Sequence, residues 1–343
     1  MHMKTKIRFG IISIMLGISS LLIVSSCTKN DELTEDATIP VLTTKEVSNI
    51  TPTTATCGGN ITDAGGLNIS ERGVCWSTTV NPTILDNKTN DGTGIGNFVS
   101  EIAGLTTITT YHLRAYATNS AGTGYGNDII IKTIHWPIVF NPSLSYITIT
   151  DIDGNTYKTI TIGTQTWMAE NLKTTKYNDG TTIPNITNFN EWESLSTGAY
   201  CNYRNDTTEG SIHGRLYNWY AVNTGKLCPV GWHVPSDAEW TTLTDYLGGA
   251  TDAGNLLKEI GSYHWGNENA NATNSSGFTG IPGGVRSNGL DYFYISNSGY
   301  WWSSTQSSVP NNATGRYMVS ALNFMNITTN YKSGGLSVRC VMN

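Results

Sequence analysis

Two acidic residues and an amide alternate through the sequence DIDGNTY at 151–157. Asp151, Asp153 and Asn155, with Gly154 among them, have the spacing with which a calcium-binding loop opens. The later ligands and the closing glutamate of such a loop do not follow. A tight turn before a strand accounts for the same residues, because Asp and Asn side chains hydrogen-bond the backbone of turns. The sequence therefore favours a turn here.

A second pair of potential metal ligands lies further along the chain. His264 and Glu268 flank Trp265, but no third ligand follows at a useful spacing. A lone histidine is more often a hydrogen-bonded structural residue. We therefore predict no metal and no cofactor.

The sequence lacks the motifs that usually identify an enzyme. It has no Gly-x-Ser-x-Gly elbow and no phosphate-binding loop, and it has only 6 histidines to serve in acid–base chemistry. No nucleophile, base and orienting group can be assembled from the residues present. We predict that the protein is not an enzyme.

Aromatic side chains accompanied by amides concentrate between residues 263 and 304. Flat rings stack on the apolar faces of sugars or fill pockets of a protein partner, and amides supply directional hydrogen bonds. The candidate ligand-binding residues are Trp265, Asn267, Arg286, Tyr294 and Trp302. The alternative is that most of these rings belong to the core. Alternation along a strand would send one of Trp301 and Trp302 inward.

Composition indicates sheets joined by many turns. Charged residues make up 13% of the chain, against about 25% in ordinary soluble domains, and the chain has 36 Gly, 10 Trp and 17 Tyr. Aromatic and β-branched side chains fit pleated surfaces, and Gly and Asn fit turns. The net charge of −6, without a basic stripe, argues against a nucleic-acid partner.

The chain begins like an exported protein. A basic start is followed by an apolar run at 11–24, too short to span a membrane as a helix and of the right length for a signal peptide. The run ends in LIVSSC at 22–27, which resembles the lipobox of bacterial lipoproteins. The resemblance implies cleavage after residue 26 and a lipid on Cys27, which would anchor the protein to a membrane. Ordinary secretion with an incidental cysteine is the alternative.

Residues 27–38 form a polar, acidic tether. The tether resembles the signal that Bacteroidota place after the lipidated cysteine to send lipoproteins to the outer leaflet. It implies a cell outer membrane location with exposure at the surface. A solvated spacer without signalling function is the alternative.

Residues 39–134 are predicted to form an all-β sandwich. Short strands are expected at 53–61, 69–77, 97–102, 110–119 and 124–133, separated by Gly, Asn and Asp. Tyr111 and Leu113 should point inward, while His112 and Arg114 face solvent. The segments 71–77 and 104–119 resemble fibronectin type III-like modules. Cys57 and Cys75, on strands expected to be neighbours, predict a disulfide, with free thiols as the alternative.

A linker with two prolines, 135–150, precedes a second domain at 151–343. Ser236 and Glu239 predict a capping box, and the helix that follows should bury Trp240 and Leu243 and end near Gly248. Asp252 is expected to cap a second helix that ends at Gly261. Strands should follow.

Five motifs in this domain resemble the Fibrobacter succinogenes major paralogous domain. They are DIDGNTY (151–157), ITIGTQTWMAENL (160–172), GRLYNWYAV (214–222), CPVGWHVPSDAEW (228–240) and SVRCV (337–341). The run at 231–240 also resembles formylglycine-generating enzymes, and the helix pair followed by strands resembles the C-type lectin fold. The resemblance implies a Cys228–Cys340 disulfide and leaves Cys201 either free or competing for Cys228.

The sequence therefore predicts a multidomain protein, an all-β fibronectin/Ig-like sandwich followed by an α+β C-type-lectin-like domain. The lectin triplets Glu-Pro-Asn and Gln-Pro-Asp are absent, as is the second redox cysteine of formylglycine-generating enzymes. We expect non-catalytic recognition of a glycan or polysaccharide. The alternative is a structural or adhesive module that contacts another surface protein.

Overall fold

The structure is a computed structural model that describes residues 37–266, 268–269, 271–288 and 291–343. The predicted signal peptide, Cys27 and nearly all of the tether lie outside the described residues, and so does Asn267. Among the described residues, the helices are all too short or too polar to cross a membrane. The protein is mostly β, as the sequence predicts.

Eight antiparallel strands form two sheets in the first part of the chain. Their order is β1-β2-β5 in one sheet and β4-β3-β6-β7 in the other, with β8 also paired to β6. The strands are β1 (Val41–Thr44), β2 (Thr54–Asp63), β3 (Glu71–Ser77), β4 (Asn87–Lys88), β5 (Gly96–Ala103), β6 (Thr110–Asn119), β7 (Gly122–Tyr125) and β8 (Ile129–Lys132).

Alternation of side chains explains how the two sheets share one core. On β5, Phe98 and Ile102 are buried, and Val99 between them is exposed. Leu113 on β6 joins the same core cluster from the opposite sheet. Tyr111 is buried as predicted, and its hydroxyl oxygen accepts the backbone N–H of Thr106 at 3.0 Å, which ties β6 to the preceding loop.

The predicted Cys57–Cys75 disulfide is wrong, because both cysteines are free and buried. Cys57 lies on β2 and Cys75 on β3, which belong to different sheets. Val74 and Trp76 point into the core, so Cys75 between them points to the outer face of its sheet. There its thiol contacts the carbonyl oxygen of Pro82 at 3.4 Å. Burial raises the pKa of the Cys75 thiol to about 11, which makes it unreactive.

The linker runs along the surface of the second domain. The ring of Trp136 stacks on Tyr263 with 3.8 Å between centroids. The backbone N–H of Val139 donates to Glu259 at 2.6 Å. The end of the linker forms the edge strand β9 (Ile147–Thr150) of the next sheet.

The second domain combines a five-stranded sheet with a three-stranded sheet and short helices. The larger sheet has the order β14-β20-β11-β10-β9, and the smaller one has the order β17-β18-β19. The remaining strands are β10 (Thr156–Ile162), β11 (Gln165–Met168), β12 (Tyr200–Cys201), β13 (Leu216–Tyr217), β14 (Trp232–His233), β15 (Val285–Arg286), β16 (Tyr292–Phe293), β17 (Ser298–Gln306), β18 (Asn312–Val319), β19 (Asn326–Tyr331) and β20 (Val341–Met342). The helices are α1 (Phe189–Glu193), α2 (Thr207–His213), α3 (Trp219–Val222), α4 (Asp237–Tyr246) and α5 (Ala253–Leu257), with a 3₁₀ turn at Tyr203–Asn205.

Helix α4 follows the sequence prediction closely. Both hydrogen bonds of the Ser236–Glu239 capping box are present, and Trp240 and Leu243 are fully buried. Helix α5 differs from the sequence prediction. The side chain of Asp252 caps no backbone N–H, and the helix ends at Leu257 because the next residue takes an extended backbone.

The disulfide between Cys228 and Cys340 is confirmed, with 6.0 Å between their Cα atoms. It joins the segment before β14 to the residue before β20, and these two strands pair directly. Cys201 is a buried free thiol whose pKa is raised by burial. The disulfide therefore fastens the last strand to the middle of the domain.

Candidate functional site

An open cleft of about 480 Å³ lies between the β17–β19 sheet and the β15–β16 hairpin. Its wall combines aromatic rings, amides and hydroxyls. The residues lining it include Ser287, Asn288, Phe293, Tyr294, Tyr300, Asn312, Thr328, Thr329, Asn330 and Tyr331. Its volume falls within the range of about 300–1,000 Å³ typical of small-molecule sites.

Three tyrosines and Phe293 are the aromatic residues that line the cleft. Tyr300 on β17 stacks on Tyr317 of β18 with 5.7 Å between centroids, which fixes its ring. Tyr294 lies 6.1 Å from Tyr300 and is 54% exposed. Tyr331, at the end of β19, is 57% exposed. Exposed rings on a fixed support are suited to stacking against a ligand.

The backbone around Tyr294 is held in an unfavourable conformation. Tyr294 has φ +68°, a region that bulky residues rarely adopt. Its carbonyl oxygen accepts the backbone N–H groups of Asn297 at 3.1 Å and Ser298 at 2.8 Å, which secure the turn. Such strain costs about 1–3 kcal/mol and tends to occur at functional sites. The turn projects the ring of Tyr294 into the cleft opening.

The polar side of the cleft is uncharged. Thr328 and Asn330 lie on one face of β19, and the amide of Asn330 donates to the Thr328 hydroxyl at 3.4 Å. Asn312 on β18 pairs with Tyr331 across the sheet. Among the lining residues that the structure describes, Arg286 is the one charged residue. The cleft therefore offers neutral donors and acceptors.

Arg286 supports the cleft and does not face a ligand. It is 1% exposed, and its guanidinium donates to the carbonyl oxygens of Ile186 at 2.7 Å and Asn188 at 3.1 Å. The same group lies 4.4 Å from the centre of the Trp192 ring. The prediction that Arg286 contacts the ligand is corrected: its donors hold the loop before α1 against the hairpin.

Trp265 and Trp302 are core residues, so their assignment to a ligand surface is wrong. Their exposed fractions are 1% and 0%. Each indole N–H donates to a buried carbonyl at 2.7 Å, that of Gly280 for Trp265 and that of Tyr217 for Trp302. Trp301 is buried as well, because β17 lies between two core clusters. Alternation predicts which face of the strand a side chain occupies, but both faces of β17 are packed against core residues.

Of the five predicted ligand-binding residues, Tyr294 alone lies exposed in the cleft, while Asn267 lies outside the described residues. Sequence reasoning missed Asn312, Asn330 and Tyr331. The alternation of NITTNY at 326–331 was the available signal, since it puts Thr328 and Asn330 on a half-buried face of the strand and Tyr331 on the exposed face.

The segment 151–157 forms a turn, as the sequence favours. The Asp151 carboxylate accepts the backbone N–H groups of Asp153 at 3.0 Å and Asn155 at 2.9 Å, together with the Tyr157 hydroxyl at 2.6 Å. The Asp153 carboxylate accepts hydrogen bonds from the backbone N–H and the hydroxyl of Thr175. The carboxylates are thus engaged by the protein itself.

Comparison with known proteins identifies the second domain. The family described as the Fibrobacter succinogenes major domain matches residues 160–342, which is more than half of the chain. The protein belongs to this family. Comparison with curated proteins gives no match.

Several solved structures resemble part of the chain. They include domains A168–A170 of titin (16% identity, 28% of this chain and 32% of that one, TM-score 0.21). A second is the sensor domain of the anti-sigma factor RsgI4 of Pseudobacteroides cellulosolvens (15% identity, 28% and 96%, TM-score 0.22). A third is a fibronectin type III domain from human KIAA0970 (16% identity, 30% and 82%, TM-score 0.21). The match thus spans about a third of the titin fragment, and scores this low carry no conclusion about fold or function.

Proposed function

We propose that the protein is a non-catalytic recognition protein whose second domain binds a glycan or polysaccharide in the aromatic cleft. The observation that carries the proposal is the pairing of exposed tyrosine rings with uncharged amides and hydroxyls in one open cleft. A sugar presents an apolar face that stacks on a ring and hydroxyls that exchange hydrogen bonds with amides.

The charge of the cleft favours a neutral sugar over a charged ligand. A phosphate or sulfate needs exposed cationic donors, and the guanidinium of Arg286 is committed to backbone carbonyls. The described lining includes no carboxylate, thiol or imidazole that could act as acid, base or nucleophile. Binding without catalysis is the activity that this chemistry supports.

The remaining parts of the proposal concern how the cleft is displayed. We propose that Cys27 carries a lipid anchor in the outer membrane, and that the sandwich is a fibronectin type III-like spacer between anchor and cleft. A C-type-lectin-like fold for the second domain is supported by helices α4 and α5 ahead of the strands and by the disulfide to the last strand. Palmitate labelling that disappears in Cys27→Ser would support the anchor.

One observation favours the alternative of a protein partner. A second depression of about 480 Å³ lies near the disulfide and is lined by apolar residues, among them Ile152 and Val230, together with polar ones such as Lys176 and Asn178. Val230 is 83% exposed and Ile152 is 47% exposed. Exposed apolar side chains around a depression are a common feature of protein contacts.

The experiment screens the purified protein on a glycan and plant-polysaccharide array, with calcium and with EDTA, and measures the affinity of each hit by calorimetry. Tyr294→Ala and Tyr331→Ala should each weaken binding by about 10-fold or more, since a central ring contributes at least about 1.4 kcal/mol. Tyr246→Ala removes an equally exposed ring (66%) on α4 and should leave the affinity unchanged.

Saturable binding that persists in EDTA and weakens only in the cleft variants would support the proposal. A blank array from folded protein, or equal affinity in all variants, would reject it. Binding lost in variants of Val230 or Ile152 would favour the second depression.

A further inference from the structure

Three histidines from distant parts of the chain meet where the linker crosses the second domain. His135 lies in the linker, His213 is the last residue of α2, and His264 follows α5 in a turn. One ring nitrogen from each lies within 4.8 Å of those of the other two. The sequence gives no sign of this cluster, because its members are far apart in the chain.

The cluster is largely shielded from water. His213 is 2% exposed and His264 is 1% exposed, while His135 is half-buried. The ring centroids are 5.3–5.4 Å apart, with His135 stacked on His264 and His213 edge-on to both. Three imidazoles packed in this way bring one nitrogen of each ring close to those of the other two in a largely dry site.

Two polar atoms at the cluster are buried and have no hydrogen-bond partner. One is Nδ1 of His213, and the other is Oε2 of Glu209, which lies 3.5 Å from Nε2 of the same histidine. Buried polar atoms are normally satisfied, and those that are not require an explanation such as a bound water or an ion. An imidazole nitrogen and a carboxylate oxygen are both ligands of divalent metals.

Glu259 orients His264 as a carboxylate orients a metal-bound histidine. Its Oε2 lies 2.6 Å from Nδ1 of His264, and its Oε1 accepts the backbone N–H of Val139 at 2.6 Å. Nε2 of His264 lies 3.1 Å from the carbonyl oxygen of Trp136. A protonated imidazole would donate to both Glu259 and this carbonyl. A neutral imidazole that donates its Nδ1–H to Glu259 would instead present the lone pair of Nε2 to a cation, as the carboxylate–histidine pairs of zinc sites do.

We propose that His135, His213 and His264 bind a divalent transition metal, with zinc as the first candidate. Three neutral imidazoles suit zinc, nickel, cobalt and copper, and leave a fourth position for water or for Glu209. Zinc–nitrogen bonds of about 2.0–2.1 Å require ligand nitrogens about 3.4 Å apart, so the rings must draw together on binding. A depression of about 420 Å³ lined by His135 and its neighbours provides access.

The ion would act as a clamp on the linker. His135 and Trp136 belong to the segment that leads out of the sandwich, whereas His213 and His264 belong to the second domain. A metal held by all three fixes that segment against α2 and the turn after α5. The site is separate from the aromatic cleft, so its test does not depend on the proposed glycan binding.

The test uses purified, untagged protein that has been stripped with a chelator and then titrated with zinc chloride by calorimetry. Cobalt absorption serves as a second probe of coordination geometry. We expect one zinc per chain and a thermal midpoint that rises at saturating zinc. His135→Gln, a half-buried position that the fold should tolerate, should bind at least about 10-fold more weakly, and Glu259→Gln about 10- to 100-fold more weakly.

His233→Gln is the matched control. His233 is a half-buried histidine whose Nε2 lies 2.7 Å from a carboxylate oxygen of Glu239, so the variant removes the same kind of pair outside the cluster. Its zinc affinity should equal that of the wild type. No stoichiometric uptake by the folded wild type, or equal affinity in His135→Gln and the wild type, would overturn the proposal.

Discussion

Removing the Cys228–Cys340 disulfide should cost the second domain a large part of its stability. The cysteines are separated by 112 residues, so the bond closes a long loop in the unfolded chain. The chain-entropy relation gives about 5 kcal/mol for a loop of this length at 25 °C. Folded domains are stable by only about 5–15 kcal/mol. The double variant Cys228→Ala/Cys340→Ala should therefore be close to unfolding at 37 °C.

Urea denaturation followed by tryptophan fluorescence measures the effect. With a slope of about 2 kcal/mol per molar urea, a loss of about 5 kcal/mol lowers the midpoint by about 2.5 M. Cys201→Ala is the control, because it removes a buried thiol of the same domain that forms no disulfide. A double variant within about 1 kcal/mol of the wild type would refute the reasoning, as would titration of both cysteines as thiols in the denatured protein.

Three further predictions concern Asp153, Trp302 and Tyr294. Partial burial raises the pKa of Asp153, but hydrogen bonds from Thr175 and the nearby Lys176 outweigh it and lower the pKa to about 2. The ionised Asp153 carboxylate therefore stabilises the folded state fully above about pH 4, and this contribution is lost as the pH falls towards 2. Asp153→Asn should lower the free energy of unfolding by about 1–2 kcal/mol at pH 7 and by almost nothing at pH 2. Urea titrations at a series of pH values measure the difference. Trp302→Ala should destabilise the protein by about 3–5 kcal/mol, because its side chain is fully buried. Tyr294→Ala should change the unfolding free energy by less than about 0.5 kcal/mol.

The predictions for Asp153 and Trp302 each have a clear contrary outcome. An Asp153→Asn variant equally destabilised at pH 7 and pH 2 would mean that the carboxylate charge contributes nothing. A Trp302→Ala variant that keeps the urea midpoint of the wild type and binds glycan more weakly would mean that the Trp302 ring contacts the ligand.

Local signals in the sequence predicted local structure well. The strand expected at 110–119 is β6 itself, and the capping box of Ser236 and Glu239 begins α4 as expected. The strand expected at 124–133 is divided into β7 and β8, both paired with β6. Periodicity and capping depend on neighbours in the chain, which is why they can be read without the fold.

Predictions that depended on what packs against a side chain in the folded protein failed. Cys57 and Cys75 lie on strands as expected, but Cys57 points into the core and Cys75 points to the outer face of its sheet. Trp265 and Trp302 are of a residue type that is common in binding sites, but both are packed inside core clusters. The cleft forms where residues 285–300 lie near residues 312–331, and no sequence pattern indicates that these two segments meet. What lies across from a side chain is set by tertiary packing.

The position of β20 has a consequence for the order in which the second domain can form. This strand comes latest in the chain, yet it lies between β14 and β11 inside the five-stranded sheet. Until it arrives, both neighbours expose unpaired edges, which are prone to pairing with other chains. Closing so long a loop also makes folding slow compared with folds built from local contacts. A chain that lacks Val341 and Met342 would therefore leave these two edges open and be prone to aggregation.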